Sequence, residues 1–569
     1  MKKELLKVKD LKISYFLDSE VKEAVKGVSF TLYEGETIGI IGESGSGKTS
    51  IAMSIMGLLT NAKIEGKIIY DGIKFNTLRQ KELNRYRWNE VAIVFQNRLD
   101  VLNPVLTIRE QIEEVLKKHT MKSKGDIKKR VKELFSMVNL EEKWLSSYAH
   151  ELSGGMRQKV LIAMALSCNP KLLIIDEPTS SLDVLSKREI INLLKSIQKK
   201  NNISMLVISH ELPVIQELTT KVEVLYLGHI LEEGLTRDLI NNPMHVYTRG
   251  LINSSCDINV YKELWGISPK INLKSGNGCP FYQRCVQASK ECTQKLPRLS
   301  YISIERKVAC NKGGIVTILE TKDLSKAFKS HGSKIYACKN VSINVKAGEV
   351  AALIGASGSG KTTTAKIISG FLKSDSGSIY FEGKEIHGCE AMRKIHGIQI
   401  IFQDPFSAIN GDFTVEKAVK EPLEILNIGS EEERKAMVKK ALQDVQMPFD
   451  NEGLDIRCNT LSGGERQRIS IARSLVMKPK LLIADEITSM LDPSTKANIL
   501  RLLKGLQNEK GFSMLFITHD LPLARKIADK VYVMNRGSIV EEGNALEIFN
   551  KPKCQYTKKL FKECFHMTV

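Results

Sequence analysis

The sequence has no apolar run of the roughly 18 to 20 residues that cross a bilayer as a helix. Its opening stretch, Met1 to Asp10, is interrupted by lysines and holds no signal-peptide apolar region. These two absences lead to the expectation of a cytoplasmic, water-soluble chain. Acidic residues are in deficit, 65 against 84 Lys and Arg, for a net charge of +19. A surplus of that size suits nucleic acid, the anionic face of a membrane, or simply a lysine-rich solvated surface, and charge alone does not choose. There is no Cys-x-x-Cys knuckle, so a zinc ribbon is not favoured. Eleven cysteines in a chain read as cytoplasmic argue against a disulfide framework. At 569 residues the chain is too long for a single core.

What is present is a phosphate-loop pattern that occurs twice. Gly42-Glu-Ser44-Gly45-Ser-Gly47-Lys48-Thr49-Ser50 follows the apolar run Glu36 to Ile41, and Gly355-Ala-Ser357-Gly358-Ser-Gly360-Lys361-Thr362-Thr363 follows Glu349 to Ile354. Strand, glycine-rich turn and helix are the context such a loop requires. The glycines turn successive N–H groups toward a polyphosphate, and the helix N-terminus adds partial positive charge. Lysine then reaches the terminal phosphates, and the threonine hydroxyl is placed for Mg²⁺.

The remaining landmarks also come in pairs. The strand ending at Gln96 is matched by the one ending at Gln403, and Leu152-Ser153-Gly154-Gly155 by Leu461-Ser462-Gly463-Gly464. Leu172 to Ile175, four apolar residues in succession, suit a central parallel strand and lead into Asp176-Glu177; Leu481 to Ala484 lead into Asp485-Glu486. His210 and His519 each close a further apolar strand. Ser462 follows Ser153, Asp485 follows Asp176 and His519 follows His210 by the same 309 residues. The chain is therefore a duplicated domain of about 250 residues. Residues 108 to 150 read as helical, with Ile127, Val131, Leu134, Phe135 and Val138 as the apolar stripe. Ser430 to Glu433 has a capping-box pattern.

On these residues the chain resembles the ATP-binding cassette ATPases, over both halves. The resemblance implies an α/β fold of two tandem phosphate-loop cassettes, each a parallel-sheet core with a helical subdomain, and head-to-tail pairing with ATP held between phosphate loop and opposite signature. It implies that Asp176 and Asp485 hold Mg²⁺ beside Thr49 and Thr362. Glu177 and Glu486 act on the attacking water, and His210 and His519 sense the γ-phosphate. Gln96 and Gln403 link the metal site to a transport partner. Ser153-Gly154-Gly155 and Ser462-Gly463-Gly464 close on the opposite nucleotide. Tyr15 and Phe328, ahead of each loop, are expected to stack on adenine, with plain core packing as the alternative. Both halves keep every chemical position, so two competent hydrolytic sites are expected; Ile487, where the first copy has Pro178, and Met490, where it has Ser181, are departures that leave the equality of the two sites open.

The endings Asn242 to Leu251 and Asn550 to Leu560, with Tyr556 again 309 residues after Tyr247, look like the peptide/nickel importer subfamily. So does the cysteine segment, Cys279, Cys285, Cys292 and Cys310. Four clustered thiols suit a soft-metal site, zinc or iron–sulfur; the resemblance favours a [4Fe–4S] cluster. The division expected is 1–255 first cassette, 256–314 cysteine-rich extension and 315–569 second cassette. The implied role is the energy-coupling ATPase of a dipeptide or oligopeptide importer, at the cytoplasmic membrane face. Its expected partners are two membrane-spanning permease subunits and a binding protein, with no nucleic acid. A nickel or metal-chelate importer is the alternative within the subfamily. A ribosome-associated twin cassette is the alternative from another class, and the Gly-, Pro- and Cys-bearing connection speaks against it.

Overall fold

The computed structural model describes residues 3–17, 20–95, 101–120, 123–255, 266–267, 277–330, 333–386, 397–448 and 450–565. The chain divides into two compact units, the first holding residues 1–258, 272–282 and 290–314, the second 259–271, 283–289 and 315–569.

In the first unit the phosphate loop leaves a buried five-residue strand, Thr37–Ile41, that runs parallel to Ser204–Ser209 on one side and Lys221–Tyr226 on the other. Beyond Ser204–Ser209 lie Leu172–Asp176 and Val91–Val94, also parallel. Leu172 to Ile175 are fully buried, as an apolar run in a sheet covered on both faces requires. The C-terminal ends of these parallel strands gather at one edge, where a doubly wound sheet binds its ligand. A second, antiparallel sheet is built from Glu20–Tyr33, Glu4–Leu17, Ala62–Tyr70 and Ile73–Lys74.

The helical region anticipated over 108 to 150 is broken rather than continuous. Ile108–His119 and Lys124–Met137 are helices, followed by short turns at Glu142–Ser146 and Ala149–Glu151. The Thr120 hydroxyl turns back onto the Leu116 carbonyl, and Ser123 caps the second helix by accepting from Asp126 N–H. The stripe of Ile127, Val131, Leu134, Phe135 and Val138 is buried along its whole length.

The sheet of the first unit does not stop at its antiparallel strand His229–Leu235. The hairpin Ser300–Ser303 and Arg306–Val308, from the extension after the cassette, adds two strands to that edge. Buried Arg306 donates to Glu232 Oε1 at 2.6 Å, and Lys307 reaches Glu233 at 3.0 Å. Glu232 also accepts the N–H groups of Met244 and His245, both at 2.9 Å, and so fixes the entry to the helix Val246–Asn253.

The second unit repeats the plan with six strands: Ile398–Ile401, Leu481–Asp485, Ser513–Thr518, Val350–Ile354, Lys530–Asn535 and Ser538–Asn544. Its four-stranded sheet holds Ser333–Lys346, Thr317–Ser330, Ser376–Phe381 and Lys384–Glu385. The capping box at Ser430 is formed, Glu433 accepting from Ser430 N–H at 2.7 Å and opening the helix Glu431–Asp444.

Candidate nucleotide sites

Each phosphate loop needs its glycines for space as well as for conformation. Gly47 and Gly360 precede their helices at φ 106° and 107°, and a Cβ there would lie 2.5 Å from Ala24 O and 1.9 Å from Ala337 O. The lysines are buried and folded onto their own loops. Lys48 Nζ donates to Gly42 O at 2.8 Å and Glu43 O at 3.0 Å, and Lys361 Nζ to Gly355 O at 3.0 Å and Ala356 O at 3.1 Å. Burial lowers the affinity of both amines for a proton, against the pull of the neighbouring carboxylates. An arriving polyphosphate supplies the counter-charge these cations are short of.

The strand ends bring the acids to the same place. Asp176 is 1 % exposed, and burial raises its pKa while the Thr49 hydroxyl opposes the rise. Its Oδ1 is buried without a hydrogen-bond partner. A carboxylate oxygen in that state fits a divalent cation, which would satisfy both its lone pairs and its charge. In the second site Thr362 Oγ1 donates to Asp485 Oδ1 at 3.3 Å, and burial pushes Asp485 up to about 6. Thr49 with Asp176, and Thr362 with Asp485, are the residues that would hold Mg²⁺.

The adjoining glutamates leave the strands in left-handed backbone, Glu177 at φ 54° and Glu486 at φ 48°. Such a conformation is costly for a non-glycine residue and turns the side chain away from the strand's alternation. The turn is pinned by a ladder bond continued past the strand, Glu177 N–H to Ile208 O and Glu486 N–H to Ile517 O, both 2.9 Å. Glu177 Oε1 then lies 2.8 Å from His210 Nδ1 and accepts His210 N–H at 3.1 Å. Glu486 Oε1 lies 3.3 Å from His519 Nδ1 and 3.7 Å from Lys361 Nζ, and its Oε2 accepts from Gln403 Nε2 at 3.1 Å. A cavity of about 310 Å³ joins Ser357, Gly358, Gly360, Lys361, Thr362, Thr363, Gln403 and Glu486. Gln96 lies outside the described residues.

The signature serines cap their helices. Ser153 Oγ accepts Met156 N–H at 3.3 Å at the start of Gly154–Ala165, and Ser462 Oγ accepts Glu465 N–H at 3.4 Å at the start of Gly463–Leu475. Gly155 and Gly464 pack where a Cβ would come within 3.0 Å of Ser186 Oγ and 2.8 Å of Thr495 Cγ2. Tyr15 donates its hydroxyl to Ser50 Oγ at 3.0 Å, which ties it to the helix behind the loop, and Phe328 on the corresponding strand is 46 % exposed. Of the two departures, Ile487 is buried at 2 % and Met490 is 60 % exposed.

The cysteines do not assemble the metal centre expected of them. Cys279 and Cys292 are buried, and Cys279 N–H donates to Cys292 O at 2.8 Å. Burial pushes the Cys279 thiol up to about 11, with Cys292 and Cys310 adding to the rise. Among the described residues no three His, Cys, Asp or Glu side chains are arranged to hold a metal ion. The [4Fe–4S] and zinc expectations are therefore not supported by this donor set.

Sequence reasoning missed two groups at the loops. Ser46 Oγ and Ser359 Oγ are buried in them without hydrogen-bond partners. Tyr247 and Tyr556 reach them from the far side: Glu43 N–H donates to Tyr247 Oη at 2.9 Å and Ala356 N–H to Tyr556 Oη at 3.4 Å. The common 309-residue spacing of the tyrosines was the available signal.

No described helix is long and apolar enough to cross a membrane. Comparison with known proteins now adds the family. The ABC transporter family matches twice, over residues 25–180 and 338–489, and the oligopeptide/dipeptide transporter C-terminal region matches residues 231–292. The glutathione import ATP-binding protein GsiA of Shigella flexneri is 33 % identical over 574 residues, spanning 98 % of this chain and 89 % of its own. The oligopeptide transport ATP-binding protein OppD of Mycobacterium bovis is 32 % identical over 600 residues, spanning 98 % and 97 %. A bacterial ABC transporter cassette solved as a dimer is 32 % identical and covers 41 % of this chain and 99 % of its own, with a TM-score of 0.38. With a buried lysine and aspartate and the adjoining glutamate inside each matched region, the chain belongs to the ABC transporter family as an ATP-hydrolysing protein of two tandem cassettes, with an oligopeptide/dipeptide-transporter C-terminal region after the first.

Proposed function

We propose that this chain couples ATP hydrolysis to the import of small peptides, working at the cytoplasmic membrane face against two membrane-spanning permease subunits fed by a substrate-binding protein. The observation that carries the substrate class is the oligopeptide/dipeptide region matched at residues 231–292, whose strand His229–Leu235 receives the extension hairpin. The names of GsiA and OppD, which align along nearly the whole chain, support the same reading. We take the functional division as 1–255, 256–314 and 315–569.

In the chemistry proposed, the backbone amides of each loop and its lysine bind the phosphates, and Thr49 with Asp176, or Thr362 with Asp485, orient the cation. Mg²⁺, when bound, neutralises charge on the phosphate oxygens. Glu177 and Glu486 accept the proton of a water as its oxygen attacks the γ-phosphorus and ADP leaves. The left-handed backbone aims each carboxylate, and the neighbouring histidine holds it in place. His210 and His519 are placed to follow the γ-phosphate, and Gln403, bonded to Glu486, to pass its loss outward. Tyr15 and Phe328 are assigned to the adenine, and the two signatures to nucleotide-driven pairing of the cassettes.

The test is recovery of the intact protein from detergent-solubilised native membranes, paired with uptake of radiolabelled di- and tripeptides by cells carrying Glu177→Gln with Glu486→Gln. Two multi-span permease subunits in the complex and abolished peptide uptake are expected. Peptide uptake intact with nickel accumulation lost would move the substrate to a metal. Ribosomal proteins in place of permeases would overturn the reading.

A further inference from the structure

The first phosphate loop is gripped from two directions. On its inner side Lys48 Nζ bonds the carbonyls of Gly42 and Glu43; on its outer side the buried Tyr247 hydroxyl accepts Glu43 N–H. When a polyphosphate draws the lysine away, the inner bonds are given up and the tyrosine bond remains to hold the turn. A loop kept in its binding shape loses less entropy when it closes on its ligand.

Tyr247 is itself held from several sides. Its N–H donates to His245 Nδ1 at 3.1 Å, and burial keeps that imidazole neutral by lowering it to about 3. Its ring lies 4.7 Å from that of Tyr226 and 5.5 Å from that of Phe281, and Phe281 also closes on Tyr226 at 5.3 Å and His245 at 5.6 Å. Phe281, 1 % exposed, belongs to the cysteine-bearing extension. Its position follows from the bond of Cys279 N–H to Cys292 O and from Gly278, where a Cβ would come within 2.4 Å of that same oxygen. In the second cassette the corresponding tyrosine is covered by residues of its own cassette instead of by an extension. Tyr556 is half-buried, packed against a cluster that includes Phe549 and Phe561, and its bond to Ala356 N–H is 3.4 Å long.

We propose that Tyr247 is a positioning residue of the first phosphate loop, and that the cysteine-bearing extension, by seating Tyr247 through Phe281, sets the ATP affinity of the first site independently of the second. The proposal rests on the reading of both loops as ATP sites. It gives the extension a task in the ATPase that needs no metal: it is a prop behind one of two otherwise matching loops.

The experiment is equilibrium binding of radiolabelled ATP with Mg²⁺ to the full chain in two backgrounds. Lys361→Ala leaves the first loop to report, and Lys48→Ala the second. Tyr247→Phe removes one hydroxyl and keeps the ring; in the Lys361→Ala chain it is expected to weaken ATP binding about three- to tenfold, the worth of one hydrogen bond, with the melting temperature unmoved. Phe281→Leu is expected to weaken binding in the Lys361→Ala chain and to leave the Lys48→Ala chain unchanged. Lowered melting with unchanged ATP affinity would overturn the proposal, because it would make both side chains structural only. Equal weakening in the two backgrounds would overturn it as well. A Lys361→Ala chain that binds no ATP would instead strike the assignment of the first loop, and the proposal would fall with it.

Discussion

The two cassettes share a backbone plan down to the left-handed glutamates, yet they treat the far edge of the core sheet differently. In the first, the strand His229–Leu235 is followed by the extension hairpin, and the glutamates facing it, Glu232 and Glu233, find Arg306 and Lys307. In the second, Ser538–Asn544 is the last strand, and Glu541, the counterpart of Glu232, keeps the task of accepting two N–H groups, from Lys553 and Cys554, with no arginine paired to it among the described residues. One strand inward, the buried position is Glu223 in the first cassette and Tyr532 in the second. Tyr532 donates to Asn344 O at 2.8 Å and accepts from Asn344 N–H at 2.7 Å. Both carboxylate oxygens of Glu223 lack a hydrogen-bond partner, with Lys221 Nζ 3.6 Å away and Glu233 nearby. The difference teaches that the catalytic edge of a duplicated sheet keeps its reactive residues, while the opposite edge takes on whatever covers it.

The largest test of this comparison is catalytic. Glu177→Gln with Glu486→Gln is expected to cut ATP turnover by about 10²- to 10⁴-fold, the usual worth of a general base. The single variants are expected to be unequal, with Glu177→Gln the greater loss, since Glu177 is held by two bonds from His210 while Glu486 is shared with Lys361 and Gln403. Equal losses in steady-state turnover would erase the asymmetry at the chemical edge.

At the covered edge, Glu232→Ala leaves Arg306 buried and short of its partner, which costs about 3 to 5 kcal/mol. Glu541→Ala removes hydrogen bonds at a half-exposed site, a loss of about 1 kcal/mol. Native-state hydrogen exchange across His229–Leu235 and Ser538–Asn544 reads both, and similar losses of protection would mean that the hairpin adds nothing to its edge.

A further effect depends on pH. Burial raises the Glu223 carboxyl above its unfolded value, so the folded state holds the proton more tightly than the unfolded chain does. Its contribution is most favourable below the ordinary carboxylate range and is lost as pH climbs toward the raised value. Glu223→Gln is therefore expected to stabilise the first unit by roughly 1 to 3 kcal/mol at pH 8, with the gain fading toward pH 4 to 5. A gain that does not change with pH in thermal melts would show that the carboxyl is already ionised in the fold.

Much of the site could be read before any coordinates. Lys48, Thr49, Asp176, Glu177 and His210 follow strands whose apolar runs announce themselves, and the repeat, at 313 residues for the loops and 309 for the acids and histidines, doubled each signal. The division of that stretch into Ile108–His119 and Lys124–Met137 was hidden, because apolar residues at helical spacing line both helices. The four cysteines misled in the other direction: among the described residues their clustering along the chain does not become a three-ligand metal group.

By itself the sequence determined the duplicated cassettes, the loops and the acids, since each depends on contiguous residues whose local chemistry leaves one choice of turn or strand. The tertiary structure alone decided which remote groups stand behind them. Tyr247 meets Glu43 across 204 residues, Phe281 covers that tyrosine, and Arg306 finds Glu232. Such meetings are set by how sheets and extensions pack, and no local pattern of residues encodes them.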